Sequence, residues 1–371
     1  VSKIQCKHTK LKMKKFKKKT KTDTSTEPLT LTFSGLCGNA EHIYTFGGYN
    51  FGSYNNNLWH HNLITNEWDK MTSIDKPEIR FGSELEYYND NIYLFGGYGG
   101  ANYYNDLWRY SLNDKQWNVV ISDDDSQLKP PRTAFHQTCM YKHYFVIFGG
   151  KGRSNTDRHL KTSFNDLYLF DTKMNKWYKV DCINKPKGKY FHGMCMVHNL
   201  LFIYGGKGIK MTDIHNDVHY INLDHIITSQ FNCGIWTEIK IDLPPSFGHV
   251  LFYHNFKLMV FGGRINANTS SINNNMTVYY NIHASISPLI SGYMKQLEQT
   301  LSINIPDGIP NIIQTFCGII ANESKLISVA SRYSHNGCII HFNNKFWLYI
   351  NSGKSGSASY LSINDNALID L

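Results

Sequence analysis

The sequence predicts an all-β protein in which one four-stranded unit is repeated along the chain. Three observations carry the prediction. An apolar run ends in a glycine pair five times, at Gly47-Gly48, Gly96-Gly97, Gly149-Gly150, Gly205-Gly206 and Gly262-Gly263. Successive first glycines lie 49, 53, 56 and 57 residues apart, and a near-constant period of this size marks a repeated supersecondary unit. The segments between them are short, rich in β-branched and aromatic residues, divided by turn residues and without helical period.

The elements of each unit follow in order. The first strand carries a marked position 13 residues before the first glycine, held by Ser34, Ser83, His136, His192 and His249. The second strand is the apolar run itself, as in Val146-Ile147-Phe148. Its glycine pair suits a bend where side chains would obstruct the backbone. A polar loop then leads to a third strand headed by Asn57-Leu58, Asn105-Asp106-Leu107, Asn165-Asp166-Leu167 or Asn216-Asp217-Val218. A lone tryptophan marks the fourth: Trp68, Trp117, Trp177 and Trp236.

These residues resemble the Kelch repeat in the hydrophobic run with Gly-Gly, the spaced aromatic and the later Trp. The resemblance covers about residues 32 to 371. It implies a β-propeller, one four-stranded blade per repeat around a central channel. Six blades are expected, the last one degenerate. Arg332-Tyr333-Ser334-His335 opens it and Phe346 to Tyr349 give its second strand, with Ile350-Asn351 in place of the glycines. Tyr360 to Ile363 are expected as its third strand and Ala367 to Leu371 as a stub of the fourth. Blade five lacks its Trp, and residues 281–331 are expected to form an irregular insertion. A short helix is expected there through Leu289, Tyr293, Leu297 and Leu301, with a strand near Ile312 to Ile320. The domain division is therefore a disordered lysine-rich segment, 1–28, and a propeller, 29–371.

The net charge of +9 is unevenly placed. Residues 1–22 hold ten lysines and no acid, so the remainder carries −1. The run from Lys14 to Lys19 is expected to be disordered by self-repulsion. Contact with anionic membrane or nucleic acid is expected through Lys10 to Lys21. No stretch of 18 apolar residues is present to span a membrane as a helix. The eight cysteines contain no CxxC. Cys37, Cys139 and Cys195 lie 10 residues before a first glycine, and Cys338 follows His335 at the matching offset. They read as small residues where blades pack, in preference to a metal set or disulfides. Reduced thiols fit a cytoplasmic protein, with a nuclear location as the other option.

Antiparallel topology brings the loops after the glycine pairs to the same face as the connections between blades. That face collects Arg80, Arg132, Lys151, Arg153, Arg158, Lys207, Lys210, Arg264 and Arg332 as candidate partner-binding residues. An acidic peptide held by arginine forks is the expected ligand. Arg132 and Arg332 also have a structural reading, because arginine before the first strand recurs in Kelch repeats. His136, His192, His249 and His335 share one repeat position and are expected to pack rather than catalyse.

Some Kelch propellers are enzymes. The resemblance to copper oxidases would require two tyrosines and two histidines on one metal, which no spacing here indicates. The iron-dependent specifier pattern Glu-x3-Asp-x3-His fails at Leu94 after Glu86 and Asp90, and at Ser246 after Glu238 and Asp242. No catalytic residues, cofactor or metal are therefore expected. A non-enzymatic protein-interaction scaffold ranks first. The regulatory propeller of a larger enzyme, such as a Kelch-type serine/threonine phosphatase, ranks second, and a metal-dependent enzyme third.

Overall fold

Each predicted unit folds as an antiparallel sheet whose strands lie side by side in sequence order. The computed structural model describes residues 13–15, 32–50, 52–123, 128–154, 159–241, 243–254, 257–264, 277–280, 337–342, 345–350, 353–354, 362–363 and 367–370. Sheet one is Gly35–Gly38, His42–Phe46, Leu58–Asn62 and Glu67–Met71. Sheet two is Glu84–Tyr88, Asn91–Phe95, Leu107–Ser111 and Gln116–Ile121. Sheet three is Gln137–Tyr141, Tyr144–Phe148, Leu167–Asp171 and Lys176–Lys179. Sheet four is Gly193–Val197, Leu200–Tyr204, Val218–Asn222 and Thr237–Ile239. Sheet five has three described strands, Phe247–His254, Lys257–Arg264 and Thr277–Tyr280.

A sixth sheet contains both ends of the chain. Its order is Gly337–Phe342, Lys345–Ile350, Ala367–Asp370 and Met13–Lys15. Two expectations are corrected here. The third strand is Ala367–Asp370, in register Leu348↔Ile369 and Tyr349↔Leu368. Ser362–Ile363 pairs instead with Gly353–Lys354. The outermost strand comes from the lysine-rich segment, in register Met13↔Ile369 and Lys15↔Ala367, so 1–28 is not disordered throughout. An outer strand pairs through its backbone along one side, and edge strands accept lysine. The expected insertion at 281–331, with its helix and strand, lies outside the described residues.

The repeat signature is the packing between neighbouring sheets. First strands stand next to one another from sheet one to sheet five, and that of sheet six lies beside that of sheet one. In the first three units the Phe before the glycine pair meets the Trp of the following unit. Phe46 and Trp117 have ring centres 5.4 Å apart, Phe95 and Trp177 5.3 Å, and Phe148 and Trp236 5.0 Å. These three tryptophans are buried. The apolar core is thus divided into clusters between successive sheets. Cys37, Cys139 and Cys195 pack against three of those clusters and form no disulfide.

Candidate partner-binding face

The face is built by the glycine pairs. The second glycine donates its N–H to the carbonyl of the next unit, three residues before the Ser/His position. The bonds are Gly48 to Arg80 (2.9 Å), Gly97 to Thr133 (2.8 Å), Gly150 to Lys189 (2.8 Å) and Gly206 to Ser246 (2.7 Å). The loops that follow bridge to the connecting segments at Thr32↔Tyr49, Phe81↔Tyr98, Ala134↔Lys151 and Tyr190↔Lys207. Loops and connections therefore share one face. Behind it the imidazoles of His136, His192 and His249 are buried. Each lies close to the first glycine of the preceding unit, as His192 does to Gly149. Burial pushes His136 and His249 down to about 3 and holds His192 well below the ordinary range. Neutral, enclosed imidazoles of this kind pack the blades. His335 lies outside the described residues.

At the centre of the face the chain forms a collar. Phe33, Gly82, Phe135, Phe191 and Gly248 occupy one repeat position, all with φ between 56° and 66°. Each amide donates to the carbonyl of its predecessor: Gly82 to Phe33, Phe135 to Gly82, Phe191 to Phe135 and Gly248 to Phe191. Bulky residues rarely hold such a φ. Here the inter-unit bonds fix it, and three rings converge on the axis. The centroid distances are 5.3 Å for Phe33–Phe135, 5.5 Å for Phe33–Phe191 and 4.5 Å for Phe135–Phe191. Rings from units one and four are thus in contact, and the three together form an aromatic plug. The aromatic surface continues outward through Phe81, Tyr54, Tyr49, Tyr98 and Tyr103.

The cationic candidates separate into three groups. Arg80 is a correction: it is 0% exposed. Its guanidinium grips both carboxylate oxygens of Asp106 at 2.6 and 2.9 Å, donates to the Gly96 carbonyl at 3.0 Å and lies over the Tyr104 ring. Lys189 holds the same repeat position and is likewise buried, on Asp217 at 2.7 and 2.8 Å. Arg132 pairs with Asp123. It lines a cavity of about 710 Å³ between units two and three, together with Tyr103, Lys129, Arg153, Asp166 and Lys179. Charge there is largely matched internally, since Asp166 also pairs with Lys179 and Lys185. Arg153 and Lys210 are exposed.

The third group surrounds Tyr190. Lys151 Nζ lies 5.0 Å from the ring centre and Lys207 Nζ 5.8 Å, with Lys207 also 5.2 Å from the Phe247 ring. Burial, then the charges of Lys161 and Lys207, pull Lys151 below the ordinary lysine range. Burial, then Arg264, does the same to Lys207, partly offset by Asp213. Among the described residues, neither ammonium has an ion-pair partner. Arg158 and Arg332 lie outside the described residues. No group of three or more His, Cys, Asp or Glu able to hold a metal occurs among the described residues.

Charge reasoning overlooks the aromatic half of this face. Its signal is present in the sequence, because Tyr49 and Tyr98 directly follow glycine pairs and Phe33, Phe135 and Phe191 directly precede marked repeat positions.

Comparison with known proteins agrees with this architecture. The Kelch-repeats domain described for KLHDC2, KLHL20 and DRC7 matches residues 6–206 and 135–292. Tip elongation aberrant protein 1 of Schizosaccharomyces pombe is 28% identical over 136 residues, 36% of this chain and 11% of that protein. Kelch domain-containing protein 10 of Xenopus tropicalis is 26% identical over 143 residues, 36% of this chain and 31% of that protein. Human Kelch domain-containing protein 3 is 24% identical over 137 residues, 34% of this chain and 33% of that protein. The match thus spans a third or less of each relative's length.

Proposed function

Because this chain belongs to the Kelch-repeat family, we propose that it is a non-enzymatic interaction domain that holds an acidic segment of a partner protein on its loop face. A six-bladed ring is part of the same reading, with Met13–Lys15 completing the last blade. The observation that carries it is the pair Lys151 and Lys207, two half-buried ammoniums against one tyrosine ring that form no ion pair among the described residues. Half-buried cations attract an anion more strongly than solvated ones, because screening is weaker there. The Phe33–Phe135–Phe191 plug offers apolar contact beside them. Arg80 takes no part, and the internal pairing of Arg132 gives it a minor one.

The test uses a fluorescently labelled peptide rich in Asp and Glu, titrated with the chain at low and physiological ionic strength. The triple variant Lys151→Glu, Arg153→Glu, Lys207→Glu is expected to weaken binding by at least about tenfold and to flatten the salt dependence. Unchanged affinity and salt dependence would remove the basic face from consideration. A second reading, a regulatory propeller within a longer chain, is favoured by the 11% share of the fission-yeast relative that the match covers. It uses the same face.

A further inference from the structure

The geometry points to a phosphoryl subsite at Lys151, Lys207 and Lys161, beside Tyr190, that takes a phosphorylated side chain of the partner. This rests on the acidic-partner reading and specifies which anion the centre of the face prefers.

Three observations lead there. First, positive charge exceeds negative charge among the described residues. Lys151 and Lys207 lie against one ring, Lys161 acts on Lys151 and Arg264 on Lys207, and the Asp213 carboxylate, which partly offsets this at Lys207, is bonded to His215 at 3.1 Å. A single carboxylate brings one negative charge, whereas a phosphomonoester brings about −1.5 to −2 and three acceptor oxygens. Second, the two central cations are lysines. The arginine fork matches carboxylate and phosphate alike, whereas an ammonium is a compact point charge that binds phosphate without a fixed fork geometry. Third, the position is fixed by backbone. Lys207 bridges to Tyr190, and Lys151 pairs with Ala134 on one side and Ser163 on the other. The stems therefore start from rigid strand ends. The cavity lined by Arg132 and Arg153 differs, because Asp123 already pairs with Arg132 there and Asp166 with Lys179 and Lys185.

An array of degenerate nonapeptides separates the possibilities. The central residue is phosphoserine, phosphothreonine, phosphotyrosine, glutamate or serine, and bound labelled protein is read on each spot. At least one phosphorylated set is expected to retain about tenfold more protein than the glutamate set, the order of preference a second charge on desolvated cations supplies. Lys151→Gln with Lys207→Gln is expected to abolish that preference at unchanged melting temperature, and Arg153→Gln to keep it. Equal retention on glutamate and phosphorylated sets overturns the subsite and leaves the acidic reading standing. A preference that survives the double lysine variant also overturns it. No retention on any anionic set removes both.

Discussion

Gly149→Ala tests the architecture most directly. Gly149 sits at φ +71°, and a Cβ there would lie 2.7 Å from the Lys189 carbonyl oxygen and 2.9 Å from His192 Cε1. The left-handed conformation costs a residue with a Cβ about 1–2 kcal/mol. The carbonyl it strikes also accepts the Gly150 N–H at 2.8 Å. Displacing that oxygen weakens an inter-blade bond worth about 0.5–1.5 kcal/mol net. A total near 3 kcal/mol follows, or a fall of roughly 6 °C at about 2 °C per kcal/mol for a chain of this size. Gly52→Ala is the control, with φ +90° and nothing within 4 Å of the added carbon; it is expected to lose only the conformational part. Urea unfolding and thermal melts of both variants give the comparison. Equal losses at the two sites, or a Gly149 variant as stable as the parent, would refute the claim that close approach of the next blade dictates this glycine.

Three further outcomes are expected. Deleting residues 1–28 should lower the melting temperature, since Met13–Lys15 supplies the outer strand against Ala367–Asp370; a truncated chain that melts with the parent would show that the strand adds nothing. Arg80→Ala should cost about 3–5 kcal/mol because it leaves Asp106 without its partner, whereas Arg132→Ala, at a half-exposed pair, should cost less than about 1 kcal/mol; denaturant midpoints rank the two. Stability should fall as pH drops from about 6.5 towards 3, because His136, His192 and His249 have depressed pKa values when folded and take up protons on unfolding. Glu86 has the opposite sign. Burial raises it to about 7, so its contribution is present at low pH and lost as pH rises through 7, and Glu86→Gln should make the acid-side decline steeper in pH-dependent melts.

Much of the fold was legible because the repeated residues meet across blade boundaries. Glycine pairs, imidazoles and tryptophans recur together since each fills space left by another: Gly149 lies against His192 and Phe148 against Trp236. The last blade was less legible for a specific reason. Tyr360 to Ile363 has strong strand propensity, and that outweighed Asp365-Asn366 directly ahead of Ala367, the place Asn165-Asp166 hold ahead of Leu167. The pairing of Met13–Lys15 with Ala367–Asp370 has no side-chain signature at all. It is backbone pairing by a segment whose composition argues for disorder when considered alone.

The candidate site shows a sharper boundary between sequence and structure. The position three residues before each Ser/His mark is Arg80, Thr133, Lys189 and Ser246 in successive units. Its carbonyl does the same work every time, accepting the glycine N–H, so the side chain is released from that role and can differ. In two units it is a cation that turns inward to an aspartate heading the third strand, Asp106 or Asp217. Lys151 and Lys207, one residue beyond a glycine pair, form no ion pair among the described residues and stay against the Tyr190 ring. Counting basic residues on loops cannot distinguish these fates. The distinction is set by whether an acid lies in register with the cation, and it divides the charges that hold a blade together from those left for a partner.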